Sequence, residues 1–361
     1  MFSWIIPFVA ILGLLIFVHE LGHFLAAKRS GIIVEKFSLG FPPNLISKKI
    51  GDTEYCIGII PLGGYVKMKG DIPDFANDDT EPEGQPGEFM SASIWKRSFV
   101  IIAGPLMNFI TAILLFIIMF WAWGNPKARP DSTEIGAVGP DTPAMHAGLK
   151  EGDTILSVDG QFFKDFTGMA AYIRQHPEEE LVVKYRRDNS DLLATIKTMK
   201  YEYTDSLGVA HIDGKLGIDP VFDFYPTSFG QAVIGGLNGS IFITGVTFEF
   251  LWRLITHKES IDKLGGPIMI ADQAGKAMKR GLLYLVNLAA TLSVNLAILN
   301  ILPIPVLDGG HLVFLGIEGI RRKPIPFKKR LFWQQVGMGL LLLLMVFVTY
   351  NDIARLITGG N

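Results

Sequence analysis

The stretch WIIPFVAILGLLIFVHELGHFLAA, residues 4–27, decides the fold of this chain. About 20 predominantly apolar residues in an α-helix cross a hydrocarbon core of roughly 30 Å, so the stretch predicts a transmembrane helix. Its ionisable residues are His19, Glu20 and His23. Ionisable side chains are costly inside a membrane span and are normally functional there. The same stretch therefore predicts the class of protein and the place of a functional site.

His19-Glu20-Leu21-Gly22-His23 is an H-E-x-x-H sequence on this predicted helix. The spacing puts both histidines on one helical face, where they can bind one zinc ion, and Glu20 can reach a water molecule beside the ion. The alternative interpretation is a polar contact between helices, which the cost of ionisable residues in lipid disfavours. A catalytic zinc ion needs a third protein ligand and one open position, so a further ligand is expected elsewhere in the chain.

The composition agrees with a membrane protein. The chain has 361 residues, of which 49% are hydrophobic and 19% are charged, whereas soluble domains usually carry more charge. A formal net charge of −2 gives no reason to expect a nucleic acid as a partner. The one cysteine, Cys56, excludes an intrachain disulfide.

Four transmembrane helices are predicted, at about residues 4–27, 99–123, within 282–320, and 331–350. The third segment is too long for one straight span. Pro303 and Pro305 should break its helix, because each proline removes a backbone donor. Broken backbone at membrane depth is tolerated only where protein or a polar cavity surrounds it. The break therefore indicates a second part of a functional site.

Basic residues in short flanks set the orientation of the spans. They follow the first span, precede the second and lie between the third and fourth: Lys28, Arg29, Lys96, Arg97, Arg321, Arg322, Lys323, Lys328, Lys329 and Arg330. These flanks are predicted to be cytoplasmic, which places both termini and the region of about 125–280 outside. His19 lies about 22 Å along the helix from Trp4, so the zinc motif is expected toward the cytoplasmic side of the membrane.

Three regions outside these spans have their own patterns. Residues 133–222 alternate short strand patterns with turns and two helical segments, which is typical of a small α+β domain. Residues 51–68 predict an apolar β-hairpin with a glycine-rich bend, and residues 71–88 predict a flexible acidic loop. Residues 226–256 are apolar but interrupted by glycines. They could form a fifth span, but a helix along the outer interface fits the orientation better.

Asp308 is the strongest candidate for the third ligand, because it follows the predicted break in an apolar segment. A lone carboxylate there is costly unless it meets a cation. His311, one turn later, is the alternative, although a histidine at this position could equally support the site through a hydrogen bond. Spacing alone does not separate the two. Glu318 lies near the cytoplasmic end of the segment and is expected to be solvated.

The chain resembles the site-2 protease family, in its bacterial branch of regulator-of-sigma-E proteases. The motif at 19–23 and Leu307-Asp308-Gly309-Gly310-His311 resemble the two zinc motifs of that family. The resemblance continues in the same order along nearly the whole chain, through residues 37–41, 61–68, 103–109 and 300–305. It implies that Asp308 is the third zinc ligand.

The resemblance also implies how substrate is held. The hairpin that contains Gly63 and Gly64 would be the family's membrane-re-entrant hairpin, and Asn300, Pro303 and Pro305 would bind substrate near the zinc ion. Residues 139–153 resemble part of a circularly permuted bacterial PDZ domain. Some members of the branch carry two such domains, whereas this chain has room for one.

The expected fold is a polytopic α-helical membrane protein with four transmembrane helices, a membrane-associated β-hairpin and an inserted α+β PDZ domain. The expected parts are a first membrane part at 1–124, the PDZ domain at 133–222 and a second membrane part at 223–361. The family's location is the bacterial inner membrane, which the protein would cross several times with its PDZ domain outside the cytoplasm.

The expected function is that of an intramembrane zinc metalloprotease, with Glu20 as the catalytic base. Its partners would be the lipid bilayer and single-pass membrane proteins, such as anti-sigma factors, or remnant signal peptides, with the PDZ domain filtering them. Two alternatives are a membrane-anchored zinc protease that cuts soluble or misfolded proteins and a PDZ scaffold on an inactive protease frame. The second is disfavoured because His19, Glu20, His23 and Asp308 are all present. The sequence does not name the substrate.

Overall fold

A computed structural model describes residues 5–70, 84–139, 141–204, 210–261 and 264–357. Its helices are α1 (Ile5–Arg29), α2 (Ile94–Trp123), α3 (Pro143–His146), α4 (Phe166–Arg174), α5 (Phe229–Ile255), α6 (Pro267–Arg280), α7 (Leu282–Ile301), α8 (Asp308–Arg321) and α9 (Phe327–Ile357). Its strands are β1 (Val34–Ile50), β2 (Thr53–Met68), β3 (Asn125–Ala128), β4 (Ile135–Val138), β5 (Thr154–Val158), β6 (Gln161–Phe162), β7 (Glu180–Arg187), β8 (Ser190–Lys197), β9 (Met199–Thr204), β10 (Ala210–Lys215), β11 (Ile218–Pro220) and β12 (Phe222–Tyr225). Most of the acidic loop predicted at 71–88 lies outside the described residues.

The chain divides into two compact units. The helical unit comprises residues 1–122 and 227–352, which include the predicted zinc motif and the β1–β2 hairpin. The β-rich unit comprises residues 123–226 and 353–361, and all strands from β3 to β12 lie in it. The β-rich unit is thus inserted between two parts of the helical unit.

Five helices in the described part of the chain are long and apolar enough to cross a membrane: α1, α2, α5, α7 and residues 328–355 of α9. Many of their large apolar side chains are exposed, which water would penalise and lipid favours. The chain is a membrane protein. The count of four spans stays a prediction, because α5 meets the same criteria of length and composition as the others.

Helix α5 packs along α2 through its glycines. A Cβ added at Gly235 would meet the ring of Phe120, and one added at Gly236 would overlap Ile117. Farther along α5, the Oγ1 atom of Thr247 donates a hydrogen bond of 2.8 Å to Asn295 of α7. Small residues let helix backbones approach closely in a membrane. Lengthwise packing against two apolar helices favours a crossing α5 over the interfacial helix that the sequence suggested.

The predicted third span is two helices separated by a break. Helix α7 ends at Ile301 and α8 begins at Asp308, with Pro303 and Pro305 between them. Val306 in the break has φ 89°, which is strained for a β-branched residue and persists only where the surroundings impose it. Packing against α9 contributes to those surroundings, since a Cβ added at Gly337 would overlap the carbonyl oxygen of Pro305.

Glu318 of α8 is buried, so the expectation that it is solvated was wrong. Its carboxylate accepts hydrogen bonds from Arg97 of α2, at 2.5 and 3.1 Å, and from Arg330 of α9, at 3.0 Å. All three side chains are less than one-tenth exposed. A buried charge is stable only when it is paired, and this cluster ties α8 to two other helices at the predicted cytoplasmic side.

The hairpin is larger than the sequence predicted, because β1 begins at Val34 and each strand folds back on itself. Residues 34–39 pair antiparallel with 64–68 and also lie beside 54–57, while residues 44–50 pair with 53–58. The resulting order across the sheet is 64–68, 34–39, 54–57 and 44–50. Among the described residues, 64–68 therefore form one edge of this sheet.

The β-rich unit has its own core around a four-stranded sheet of order β6-β5-β7-β8. Its buried residues include Ile155, Met169, Leu181 and Val183. Asp165 caps the N-terminus of α4 by accepting a hydrogen bond from the Gly168 N–H. The identification of residues 133–222, which lie in this unit, as a PDZ domain stays a prediction.

A half-buried arginine pairs with a buried aspartate next to the α3 turn of the β-rich unit. Arg187 donates hydrogen bonds of 2.7 and 2.6 Å to the two carboxylate oxygens of Asp153. Burial would raise the pKa of Asp153, but these bonds, together with the Lys150 N–H, lower that pKa below its usual value. The pair thus stabilises the unit at neutral pH, and its contribution is lost as the pH falls through the pKa of the folded state.

Candidate metal and peptidase site

Three potential metal ligands converge from two helices of the helical unit. His19 and His23 lie one turn apart on α1, and Asp308 is the first residue of α8. The two Nε2 atoms are 3.1 Å apart, and they lie 3.1 and 3.4 Å from the two carboxylate oxygens of Asp308. These residues form the group of His, Cys, Asp and Glu side chains in the described residues that could hold a metal ion.

The arrangement suits zinc. Four ligands placed tetrahedrally about zinc, at bond lengths of about 2.0–2.1 Å, are separated from one another by roughly 3.3 Å. The measured separations of 3.1–3.4 Å match that spacing. Oδ2 of Asp308 is buried and accepts no hydrogen bond from the described residues, and a bound cation would satisfy it. Two imidazoles and one carboxylate leave a fourth position open, as catalytic zinc sites require.

A backbone hydrogen bond orients His23 for metal binding. Its Nδ1 atom lies 2.8 Å from the carbonyl oxygen of Val100 on α2. A carbonyl oxygen only accepts, so Nδ1 carries the proton and Nε2 presents its lone pair to the other ligands. Metal-binding histidines are usually held in this way.

Glycines bring α1 and α2 together at the ligands. A Cβ added at Gly22 would overlap the carbonyl group of Ala103, and one added at Gly104 would overlap the rings of His23 and His19. The Gly104 backbone therefore forms a wall of the site that leaves room only for the imidazoles. Replacing it with any larger residue would displace the ligands.

Glu20 is half-buried on α1, next to the edge of the hairpin sheet. A Cβ added at Gly64 would lie 3.1 Å from Cγ of Glu20 and 2.8 Å from the carbonyl oxygen of Ser38. Gly64 thus lets the edge strand pass close to the glutamate. Gly63 is buried, and a Cβ there would overlap the ring of Phe41.

The alternative ligand lies away from the cluster. Nε2 of His311 is 3.5 Å from Nε2 of Gln334 on α9, and His311 is not a member of the possible metal-binding group in the described residues. Gly309 and Gly310 next to it allow α8 to begin close to the broken segment, since a Cβ at either would overlap backbone carbonyl oxygens there.

Of the residues at 300–305 predicted to bind substrate, Asn300 lies beside a metal ligand. Nδ2 of Asn300 is 3.5 Å from Nδ1 of His19. Pro303 is exposed and Pro305 is half-buried against α9.

Sequence reasoning gave no role to Asn108, which the structure places in the site. Its side chain is 1% exposed, and its Nδ2 atom is 3.4 Å from Nδ1 of His19. The sequence contained a signal for it, since a polar amide in an apolar span is expensive unless it has partners.

Comparisons with known proteins match the chain to one family over nearly its whole length. The sequence profile of peptidase family M50 matches residues 7–344. A relative from Agrobacterium fabrum is 36% identical over 368 residues, covering 98% of this chain and 97% of its own length. The regulator of sigma-W protease RasP from Bacillus subtilis is 32% identical over 429 residues, covering 98% of each chain.

Two solved structures are similar to about a quarter of the chain. The PDZ domain of an SdrC-like protein from Listeria monocytogenes is 26% identical and covers 26% of this chain and 93% of its own, with a TM-score of 0.21. A second PDZ domain, from the SdrC-like protein of Listeria innocua, is 30% identical over 25% of this chain, with a TM-score of 0.20.

The first testable prediction separates the two candidates for the third ligand. Asp308→Ala should weaken zinc retention by at least tenfold, because it removes one of three protein ligands. His311→Ala should keep zinc, because the structure pairs its side chain with Gln334. Metal analysis of both purified variants after identical dialysis measures the difference, and loss of zinc from the His311 variant alone would reverse the assignment.

Proposed function

We propose that this chain, which belongs to peptidase family M50, the site-2 protease family, cuts peptide bonds inside transmembrane segments of other membrane proteins. The premise of the proposal is that the chain is a zinc metalloprotease. The observation that carries this proposal is the position of the ligand cluster. His19 and His23 are buried on α1, a helix apolar enough to cross a membrane, and Gly104 of the apolar α2 covers them. A site built there meets peptide bonds that also lie within the membrane.

His19, His23 and Asp308 would hold the zinc ion. When bound, zinc supplies a Lewis acid for the scissile carbonyl and a water molecule that ionises near neutral pH. Glu20 has the role of the general base, since it belongs to the H-E-x-x-H motif but not to the ligand cluster. It takes a proton from water and passes it to the leaving amine.

A transmembrane substrate must be unwound before it is cut, because an α-helix hides its carbonyls in i→i−4 hydrogen bonds. The edge strand 64–68 could hold the unwound segment by strand addition. It pairs on one side with 34–39, and Gly64 lies beside Glu20. Asn300 could bind other freed backbone groups, with Pro303 and Pro305 keeping the segment before α8 open.

The substrates would be single-pass membrane proteins, such as anti-sigma factors, or remnant signal peptides. The name of the B. subtilis relative refers to regulation of a sigma factor, which supports the first class. Basic flanks at 28–29 and 321–330 support an inner-membrane orientation in which the β-rich unit is extracytoplasmic. A protease for soluble or misfolded proteins is the second candidate, but burial of the ligands among apolar helices does not favour it.

Replacing the base tests the mechanism. Glu20→Gln should keep zinc and the fold, and should lower cleavage of a transmembrane test substrate by at least 100-fold, because general-base catalysis is worth about 10²–10⁴. Cleavage in proteoliposomes, zinc content and thermal unfolding measure the three quantities. Turnover near the wild-type rate in a variant that retains zinc would refute the role of Glu20.

The site of cleavage tests the intramembrane proposal separately. Mass spectrometry of the products should place the cut within the apolar segment of the substrate. Products cut only in the flanking soluble regions would favour the second candidate function.

The edge strand is tested with prolines at two adjacent positions. Consecutive N–H groups of a strand point to opposite sides, so of Tyr65 and Val66, one donates toward 34–39 and the other toward the open edge. The outward proline should keep zinc and fold and slow cleavage at least tenfold, while the inward proline should destabilise the sheet. If the stable variant cleaves at the wild-type rate, strand addition at this edge is wrong.

We also propose that residues 133–222 of the β-rich unit form a PDZ domain that excludes clients with bulky outer domains. A folded unit of about 90 residues has a radius near 12 Å, which is large enough to obstruct such clients. Tight capture of chain termini by strand addition is the alternative.

Deleting residues 130–220 tests the filter. Arg129 donates a backbone hydrogen bond of 2.8 Å to Val221, so a short turn can join the two ends without straining β3 and β12. The shortened enzyme should cut substrates that have small outer tails as before and should begin to cut full-length ones, as gel assays of both substrates would show. Loss of cleavage of the short-tailed substrates, with zinc retained, would instead identify a docking site.

A further inference from the structure

Two amide side chains approach the same nitrogen of His19. Nδ2 of Asn108 is 3.4 Å from Nδ1 of His19, and Nδ2 of Asn300 is 3.5 Å from it. A neutral histidine that binds metal through Nε2 carries its proton on Nδ1, and that proton needs an acceptor. Asparagine can supply one, because half a turn about the Cβ–Cγ bond puts Oδ1 where Nδ2 lies.

Asn108 is the better placed of the two. Its side chain is 1% exposed, and its Oδ1 atom is buried without a hydrogen bond from the described residues. Its backbone carbonyl accepts a hydrogen bond of 2.7 Å from Ser293 of α7, which fixes α2 at this point. Gly104, one turn earlier, is the wall of the site. Asn300 is half-buried at the end of α7, next to the broken segment.

We propose that Asn108 is a positioning residue whose amide oxygen accepts the Nδ1–H of zinc-bound His19. His23 has the corresponding partner in the Val100 carbonyl, so each histidine is then oriented by one acceptor from α2. This division leaves Asn300 available to substrate. The inference depends on the zinc ligands and not on where the substrate is cut, so it can fail while the proposed function stands.

Zinc affinity of the purified full-length protein in detergent, measured by competition with a chelator and without substrate, tests the proposal. Asn108→Leu is close in size and removes the acceptor, so it should weaken zinc binding by about 10- to 100-fold, as loss of such partners usually does. Asn108→Asp keeps an acceptor and cannot donate when ionised, so it should bind zinc about as tightly as the wild type.

Asn300→Leu is the matched control, and it should leave zinc affinity unchanged. The absorption spectrum of the cobalt-substituted protein gives a second readout, which should shift in Asn108→Leu and not in the control. Thermal unfolding with a chelator present checks the fold. If Asn108→Leu does not fold, the zinc affinity of Asn108→Asp tests the proposal instead. A folded Asn108→Asp variant that loses zinc overturns the proposal. Wild-type zinc affinity in a folded Asn108→Leu, or loss confined to Asn300→Leu, overturns it as well.

Discussion

The rest of the helical unit depends on one constraint, which is that two histidines and an aspartate must meet among apolar helices. Each would be unstable there alone, because polar and ionisable groups are costly in lipid unless they are paired. Their meeting requires α1 and α2 to approach more closely than ordinary side chains allow, which explains Gly22 and Gly104 at the contact. It also requires the chain to deliver Asp308 from the opposite end of the sequence.

The break between α7 and α8 meets that second requirement. A continuous helix would carry position 308 past the histidines, whereas residues 302–307 change the direction of the chain and let α8 begin at the site. Broken backbone needs protein around it at membrane depth, and α9 supplies this at Gly337. The buried carboxylate of Glu318, held between two arginines, fixes the other end of α8. Since a buried charge that loses its partner is strongly destabilising, the cluster gives α8 one position relative to α2 and α9.

Local patterns in the sequence were enough to predict part of the metal site and the break before α8. The two histidines are four residues apart, and the two prolines of the break are two residues apart. Each pattern is local, so the helix carrying His19 and the interruption before Asp308 could be predicted from spacing. Features that depend on partners far away in the sequence could not be predicted in this way. Glu318 was expected to be solvated because it lies near the cytoplasmic end of its segment, and its partners Arg97 and Arg330 are distant from it in the sequence. The pairing of β1 and β2 as four segments likewise depends on contacts between residues far apart in each strand. Asn108 carried a signal as a polar amide in an apolar span, but its partner His19 lies on another helix, so its place in the site was missed.

The edge of the hairpin connects this architecture to the chemistry. Gly64 lies beside Glu20, so the edge strand is at the depth of the zinc motif. Unpaired backbone groups are not tolerated against lipid and must face protein or a polar cavity. Hydrolysis also needs water beside Glu20, and a polar cavity at this edge would provide it. An extended segment entering this cavity would satisfy the edge by pairing with it and would displace part of the water while its own peptide bonds are exposed. The unpaired backbone groups of this edge are costly when no substrate pairs with them. They would therefore favour an unwound substrate over a helical one.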